Sequence, residues 1–300
     1  MPKALLVSAL TLCALSACGT VPTPQAAGPA VSAQAALTPR PQGSPDVAIF
    51  VVSGRCGATC DDAPNDNWNY LEPQGTVAAL GKMFAGLGRS VKTYAYSAHL
   101  RTHFSNLSGK QEAGFLDMEA QLRSVLANWV QGRKNPTRLV LVGHSHGTNW
   151  THNLARVYQG VTFDYLIDLD GICLAWEDDH RPFIQAYYAE RGGNPWPEDI
   201  SKSCAQVDAG GLTRYDHKDV ALRNVRYNLE IQSQRAVDQP ASTDGSTNLL
   251  FDTVNNVRPD GSRAGISTFL SYDEGHNEIQ LPGSEAMSWL GGKVQELGLP

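Results

Sequence analysis

The clearest potential for chemistry lies in a short glycine-framed segment, GHSHG, at residues 143–147. A serine hydroxyl becomes a useful nucleophile when a nearby base takes its proton and the chain exposes its oxygen on a sharp turn. Glycines on either side permit the close backbone packing that such a turn requires. We therefore take Ser145 as the candidate nucleophile for attack on a carbonyl carbon.

The sequence around Ser145 predicts a strand flanked by two helices. Residues 139–142 form an unbroken apolar run, which is typical of a strand buried on both faces of a parallel sheet. Residues 114–130 and residues 148–158 place apolar side chains at spacings of three and four, which indicates amphipathic helices. Helix, strand, turn and helix in this order would place Ser145 at the carboxyl end of a strand.

This arrangement resembles the G-x-S-x-G nucleophile elbow of the α/β-hydrolase superfamily, and the spelling GHSHG is similar to that of bacterial lipases. The resemblance follows the element order over residues 46–297. It implies an α/β fold with a mostly parallel central sheet, helices on both faces and a lid or cap insertion, here residues 172–222. The implied activity is that of a carboxylic ester hydrolase with a Ser-His-Asp triad and an acyl-enzyme.

The resemblance places the general base after the last strand of the sheet. Residues 266–272 read as that strand, His276 follows in a loop, and a terminal helix begins near residue 284. None of the other histidines has this context. His276 is therefore the candidate base, in the superfamily's chain order of serine, acid and histidine.

Two aspartates compete for the position of the acid. Asp238 is the first carboxylate after the penultimate strand, predicted at residues 225–232. Asp170 ends the preceding strand, predicted at residues 163–169, and resembles the acid of pancreatic-type lipases. Both loops can reach the same histidine, because neighbouring parallel strands end side by side. We favour Asp238 and keep Asp170 as the alternative.

A second glycine loop follows the apolar run at residues 47–52. Its sequence, SGRCG at residues 53–57, matches the H-G-x-x-G loop of the superfamily except that serine replaces histidine. The resemblance implies an oxyanion hole made by the backbone N–H groups of Arg55 and His146. We assign only the backbone of Arg55 to the site and expect its side chain to be a solvated surface group.

Asp and Asn residues are concentrated at residues 61–67, and bacterial lipases often hold a calcium ion near the acid loop. These side chains offer the oxygen ligands that calcium prefers. Because no fixed ligand spacing is present, we predict a polar loop and no cofactor, with structural calcium as the alternative. The sequence also has no zinc-type Cys/His spacing.

The N-terminal residues carry export signals. Residues 1–17 read as a signal peptide, with a short apolar run that is followed by a lipobox-like segment ending at Cys18. Residues 18–45 are rich in Pro, Ala, Gln and Gly and read as a flexible tether, so the folded domain is expected at residues 46–300. These features predict a lipid-anchored protein of the bacterial cell envelope, with secretion as the alternative.

Four cysteines remain after the signal peptide and Cys18 are set aside: Cys56, Cys60, Cys173 and Cys204. Thiols of an exported protein tend to form disulfides. Three pairings are possible, and we favour Cys56 with Cys60 and Cys173 with Cys204, with free buried thiols as the alternative.

Composition narrows the choice of partners. The net charge of -6 and the pI near 5.7 argue against a nucleic-acid partner. The expected partners are an acyl-ester or lipid substrate and the membrane that holds the N-terminal lipid. A serine amidase, peptidase or thioesterase stays open, as does a noncatalytic surface lipoprotein on a hydrolase scaffold, because fold does not dictate substrate.

Overall fold

A computed structural model describes residues 36–57, 60, 62–211, 214–235, 252 and 254–299. One compact unit spans Leu37–Pro300. Residues 37–45, which the sequence assigns to the tether, belong to this unit: the backbone N–H of Thr38 donates to the carbonyl of Gly132 at 2.9 Å. The predicted signal peptide, Cys18 and the start of the tether lie outside the described residues.

The centre of the molecule is a sheet of six strands. They are Val47–Val52 (β1), Val91–Tyr96 (β2), Arg138–His144 (β5), Phe163–Leu169 (β6), Val225–Ser233 (β9) and Ile266–Ser271 (β10). Their order is β10-β9-β6-β5-β1-β2, and every neighbouring pair is parallel. The apolar runs predicted as strands are therefore strands buried within a parallel sheet. This is the α/β-hydrolase fold.

Among the described residues, five α-helices cover both faces of the sheet. They are Thr76–Ala85 (α1), Phe115–Val125 (α2), His146–Val157 (α3), Trp176–Arg191 (α4) and Glu285–Leu297 (α5). Side chains of β1 alternate between two apolar cores, as the twofold period of a strand requires. One core contains residues of α2, α3 and α4, and the other contains residues of α1 and α5. Within the described part of the chain, none of the helices combines the length and the apolar character that a membrane crossing needs.

Two short hairpins add to this framework. One pairs His103–Ser105 (β3) with Lys110–Glu112 (β4), and the other pairs Gln206–Asp208 (β7) with Arg214–Asp216 (β8). The second hairpin lies in the predicted insertion at residues 172–222. Its strands of three residues are too short to show a periodic pattern in the sequence.

The insertion also contains α4, which does not form a core of its own. Trp176, Ile184 and Tyr187 of α4 are buried in the same core as α2 and α3. Disulfides join Cys173 to Cys204 and Cys56 to Cys60, each with a Cα–Cα distance of 5.6 Å. Both predicted pairings are therefore confirmed.

Candidate active site

Ser145 lies on a sharp turn between β5 and α3. The strand ends at His144 and the helix begins at His146, so the predicted strand, turn and helix are present. Ser145 has φ 57° and ψ -128°, a conformation that is costly for a residue with a side chain. Its backbone N–H donates a 3.0 Å hydrogen bond to the carbonyl of Leu169 at the end of β6, which holds the turn against that strand.

Close backbone contacts require both glycines of this segment. A Cβ atom on Gly143 would lie 2.4 Å from Cα of Thr148, and one on Gly147 would lie 2.1 Å from the carbonyl oxygen of Val52. Non-bonded carbon and oxygen atoms do not approach this closely, so a side chain would force the backbone apart. The glycines thus allow α3 to start directly against β1 and β5.

His276 and Asp170 are in contact. His276 Nδ1 and Asp170 Oδ2 are 2.6 Å apart, and both side chains are buried. Because an ionised carboxylate only accepts hydrogen bonds, Nδ1 of His276 carries the proton and Nε2 is left with a lone pair. The same carboxylate accepts the backbone N–H and the hydroxyl of Ser233, each at 2.6 Å. Asp170 is thus fixed at the carboxyl end of β6 with its charge directed at the imidazole.

Asp238, which we favoured from the sequence, lies outside the described residues. The contact with His276 belongs to Asp170, the alternative. Among the described residues, three that are not glycine have a positive φ: Ser145, Asp170 and Ala175. Strain of this kind persists where the surrounding structure imposes it and is concentrated at functional sites. Its presence at Ser145 and at the partner of His276 marks these two positions.

A directed chain of hydrogen bonds links the first glycine loop to the loop of His276. The backbone N–H of Gly54 donates to Tyr70 Oη at 2.7 Å, and Tyr70 Oη is 2.6 Å from Nδ1 of His144. Nε2 of His144 in turn donates to the carbonyl of His276 at 2.9 Å. A carbonyl can only accept, so Nε2 of His144 carries a proton. Because burial keeps the ring neutral, its Nδ1 accepts, and Tyr70 donates to it.

The protonation states that this chain needs match the burial of its members. Burial raises the pKa of Tyr70, so its hydroxyl keeps its proton. Burial, together with the positive charge that His276 carries when its ring is protonated, holds the pKa of His144 well below its usual value, so the His144 ring stays neutral. The rings of His144 and His276 also stack, with centroids 4.7 Å apart. The sequence analysis missed the roles of Tyr70 and His144.

The predicted oxyanion loop lies directly against Ser145. A Cβ atom on Gly54 would lie 2.3 Å from Cβ of Ser145 and 2.8 Å from its Oγ. Among the described residues, neither the backbone N–H of Arg55 nor that of His146 donates a hydrogen bond. Both predicted donors are therefore available to an incoming oxygen atom.

The side chain of Arg55 is not the solvated surface group that we expected. Its Nε lies 2.8 Å from Oδ2 of Asp179 on α4, and the Arg55 side chain is 28% exposed. This ion pair fastens the oxyanion loop to the helix of the insertion. The expectation failed because Asp179 is 124 residues away along the chain.

Within the described residues no hydrogen bond joins Ser145 to His276. Such contacts are often long in enzymes without substrate and tighten in the complex. What the structure has assembled is a strained serine, a histidine oriented by a buried carboxylate and two available N–H groups. Together these groups have the chemistry of acyl transfer.

Side-chain oxygens of the loop considered for calcium accept hydrogen bonds from other groups of the protein. Oδ1 of Asp66 accepts the backbone and side-chain N–H groups of Asn106, both at 3.1 Å. Oδ1 of Asn67 accepts the backbone N–H of Cys56 at 2.9 Å, and Oδ1 of Asp62 accepts from Asn65 at 3.0 Å. Asp61 lies outside the described residues. These bonds are those of a polar loop, and the absence of a structural calcium there stays a prediction.

No protein-family model and no curated protein matches the chain. Among solved structures, the chain is similar to ferulic-acid-bound Est1E from Butyrivibrio proteoclasticus, with 12% identity, a TM-score of 0.39, and coverage of 86% of this chain and 91% of that one. It is also similar to an esterase domain from a Rhodothermus marinus protein, with 16% identity, a TM-score of 0.38, and coverage of 87% and 90%. A third structure, of the metagenome-derived lipolytic enzymes LipS and LipT, has 13% identity, a TM-score of 0.37, and coverage of 87% and 98%. Likenesses this distant carry no argument about activity, and the fold assignment depends on the strand order and direction.

Proposed function

We propose that the protein is a serine hydrolase that cleaves carboxylic esters through Ser145, His276 and Asp170. One observation carries the proposal: the 2.6 Å contact between His276 Nδ1 and Asp170 Oδ2, at the same sheet edge as the strained Ser145. The proposal replaces Asp238 by Asp170 as the acid.

In this mechanism, Oγ of Ser145 attacks the ester carbonyl while Nε2 of His276 takes the hydroxyl proton. Asp170 stabilises the imidazolium that forms. The carbonyl oxygen gains negative charge and accepts hydrogen bonds from the N–H groups of Arg55 and His146. His276 then protonates the leaving alcohol, which yields an acyl-Ser145. Water attacks the acyl group with His276 as base, and this releases the acid and regenerates the serine.

The test of the nucleophile is covalent labelling by a fluorophosphonate probe. Wild-type protein and a Ser124→Ala control, altered on the exposed face of α2, are expected to label equally, whereas Ser145→Ala is expected not to label. Equal labelling of Ser145→Ala and wild type would overturn the assignment. If no form labels, the protein is a noncatalytic scaffold instead.

The bond that is cleaved needs a separate assay. We expect hydrolysis of chromogenic esters and little turnover of matched amides and thioesters in a panel of graded acyl length. Faster cleavage of the amides or thioesters would assign the protein to the amidase, peptidase or thioesterase class, since the same triad serves all of them.

We also propose export and lipid anchoring through Cys18. The two disulfides support export, because such bonds persist mainly in oxidising compartments. Cys18→Ala is expected to move the protein from the membrane pellet to the soluble fraction. Wild-type protein found entirely in the soluble envelope fraction would favour secretion.

A further inference from the structure

We propose that His146, Asp179 and His180 form a zinc-type cation site between α3 and α4. One potential ligand atom from each residue lies within 4.8 Å of the others. His146 is the first residue of α3, while Asp179 and His180 belong to the first turns of α4. The site is thus built from two helices that are adjacent only in the folded chain.

The first argument is that two buried ring nitrogens lack partners. Nδ1 of His146 and Nε2 of His180 have no hydrogen bond among the described residues, and their side chains are 0% and 1% exposed. Buried polar atoms are nearly always paired, because an unpaired one destabilises the folded state. Two such atoms beside one carboxylate indicate that a ligand belongs between them.

The second argument is the charge that these atoms present to one another. Nε2 of His146 donates to the carbonyl of Leu174 at 2.6 Å, so Nδ1 of the neutral ring carries a lone pair. That lone pair is 3.8 Å from Oδ2 of Asp179. Two electron-rich atoms therefore approach each other in a buried space with no proton between them. A cation would attract both.

The third argument is that one ring nitrogen of His146 makes the kind of hydrogen bond that is typical of a metal-binding histidine. A histidine that binds a metal through one ring nitrogen usually donates the other N–H to a carboxylate or a backbone carbonyl. The bond from His146 to the Leu174 carbonyl has this form. It fixes both the tautomer and the direction of the ring.

The donor set selects the kind of ion. Imidazole nitrogen with a carboxylate oxygen suits Zn²⁺, whereas Ca²⁺ and Mg²⁺ prefer oxygen ligands alone. Ligand atoms around a tetrahedral zinc ion are about 3.3 Å apart, given bonds of about 2.0 Å. The three candidate ligand atoms here lie within 4.8 Å of one another. Side-chain movements of about 1 Å would bring them to the spacing that zinc requires.

Zinc binding would affect the ion pair between Arg55 and Asp179. The guanidinium of Arg55 donates to Oδ2 of Asp179, the same oxygen that faces Nδ1 of His146, so Arg55 and the ion would share this carboxylate. The two positive charges oppose each other, so zinc is expected to loosen the hold of Asp179 on Arg55. This proposal does not depend on the hydrolase activity.

Zinc binding is measured with tag-free, full-length protein that has been stripped with a chelator and then freed of it. Titration with ZnCl₂ in a calorimeter is expected to give one equivalent per chain with a Kd in the micromolar range or below, and CoCl₂ is expected to give the visible spectrum of a tetrahedral site. MgCl₂ and CaCl₂ should give no binding. Absence of zinc binding by the wild type would overturn the proposal.

Variants locate the site. His180→Gln and, as a second probe, Asp179→Asn are expected to weaken zinc binding at least tenfold. His217→Gln is the matched control, since it removes a histidine outside the cluster and should bind as the wild type does. Equal affinity in His180→Gln and wild type would place the zinc elsewhere, for example at the stacked His99 and His103, and refute the site. Near-UV circular dichroism verifies that each variant is folded, and Asp179→Asn serves alone if His180→Gln is not.

Discussion

Tyr70 and His144 share a 2.6 Å hydrogen bond that joins the oxyanion loop to the loop of the general base. Gly54 lies at one end of this connection, and the backbone of His276 lies at the other. His144, the residue before the proposed nucleophile, thus helps to position both the oxyanion loop and the loop of His276. Neither Tyr70 nor His144 touches the substrate in this account, so both are positioning residues.

Tyr70→Phe tests this connection. The change leaves the N–H of Gly54 and Nδ1 of His144 without a partner, which corresponds to about 1–3 kcal/mol and about a 5- to 150-fold rate loss. We expect the loss in kcat more than in KM for a chromogenic ester. Tyr94→Phe is the control, because the buried hydroxyl of Tyr94 has no hydrogen bond among the described residues. Equal activity of the two variants would show that the hydrogen bonds of Tyr70 do not contribute to catalysis.

The choice of acid is tested by exchanging each aspartate for asparagine. Asp170→Asn is expected to lower kcat by about four orders of magnitude, because the carboxylate no longer holds the proton on Nδ1 of His276. Asp238→Asn is expected to stay within severalfold of the wild type. The assignment of Asp170 would be wrong if the large loss occurred in Asp238→Asn instead.

The strain at Ser145 predicts a gain in stability when the residue is replaced by glycine. Ser145→Ala keeps the unfavourable φ of 57°, whereas Ser145→Gly relieves it, so the glycine variant should be more stable by about 1 kcal/mol. Both variants would be inactive. Urea unfolding of the pair measures the difference.

Replacement of a helical serine by alanine and by glycine should give the opposite order of stability, with the alanine variant more stable. Ser124 is exposed near the end of α2, where the helical turn Leu126–Val130 continues the chain, and glycine in a helix is less favourable than alanine by about 1 kcal/mol. If Gly were also the weaker choice at position 145, the turn would not be strained.

The buried His99 predicts a loss of stability in acid. Burial, with the charge of His103 adding to it, lowers the pKa of His99 to about 4. As pH falls, the unfolded chain therefore takes up the proton first, near its usual pKa of about 6.5. Stability is lost between these two values, by up to about 3 kcal/mol, and changes no further below them.

His99→Gln removes this proton linkage. The variant is expected to lose less unfolding free energy than the wild type between pH 7 and pH 4.5, as measured by urea unfolding at each pH. A constant offset between the two proteins at both pH values would contradict the assignment, whatever the stability of the variant at neutral pH.

The central strands of the sheet could be predicted because a strand that is buried on both faces consists mainly of apolar residues. The strands at Val47–Val52 and Phe163–Leu169 have the bounds that were predicted from the sequence. The turn at Ser145 was equally readable, since only glycine fits at its two closest contacts. Local patterns therefore sufficed wherever a single segment determined its own structure.

Side-chain partners were not readable, because they depend on distant segments. Tyr70 and His144 are 74 residues apart, and Asp170 and His276 are 106 residues apart. Both candidate acids follow neighbouring strands that end at the same edge, so spacing along the chain could not rank them. The contact between a carboxylate and an imidazole is settled only when the strand order is known.

The position of β1 has a consequence for synthesis. This first strand pairs with β2 and β5 on its two sides, while the last strand, β10, lies at an edge of the sheet. A growing chain can thus add strands outward from β1, but His276 follows β10. The proposed nucleophile is made long before its proposed base, so a chain still on the ribosome would have no hydrolase activity until the segment that contains His276 has emerged.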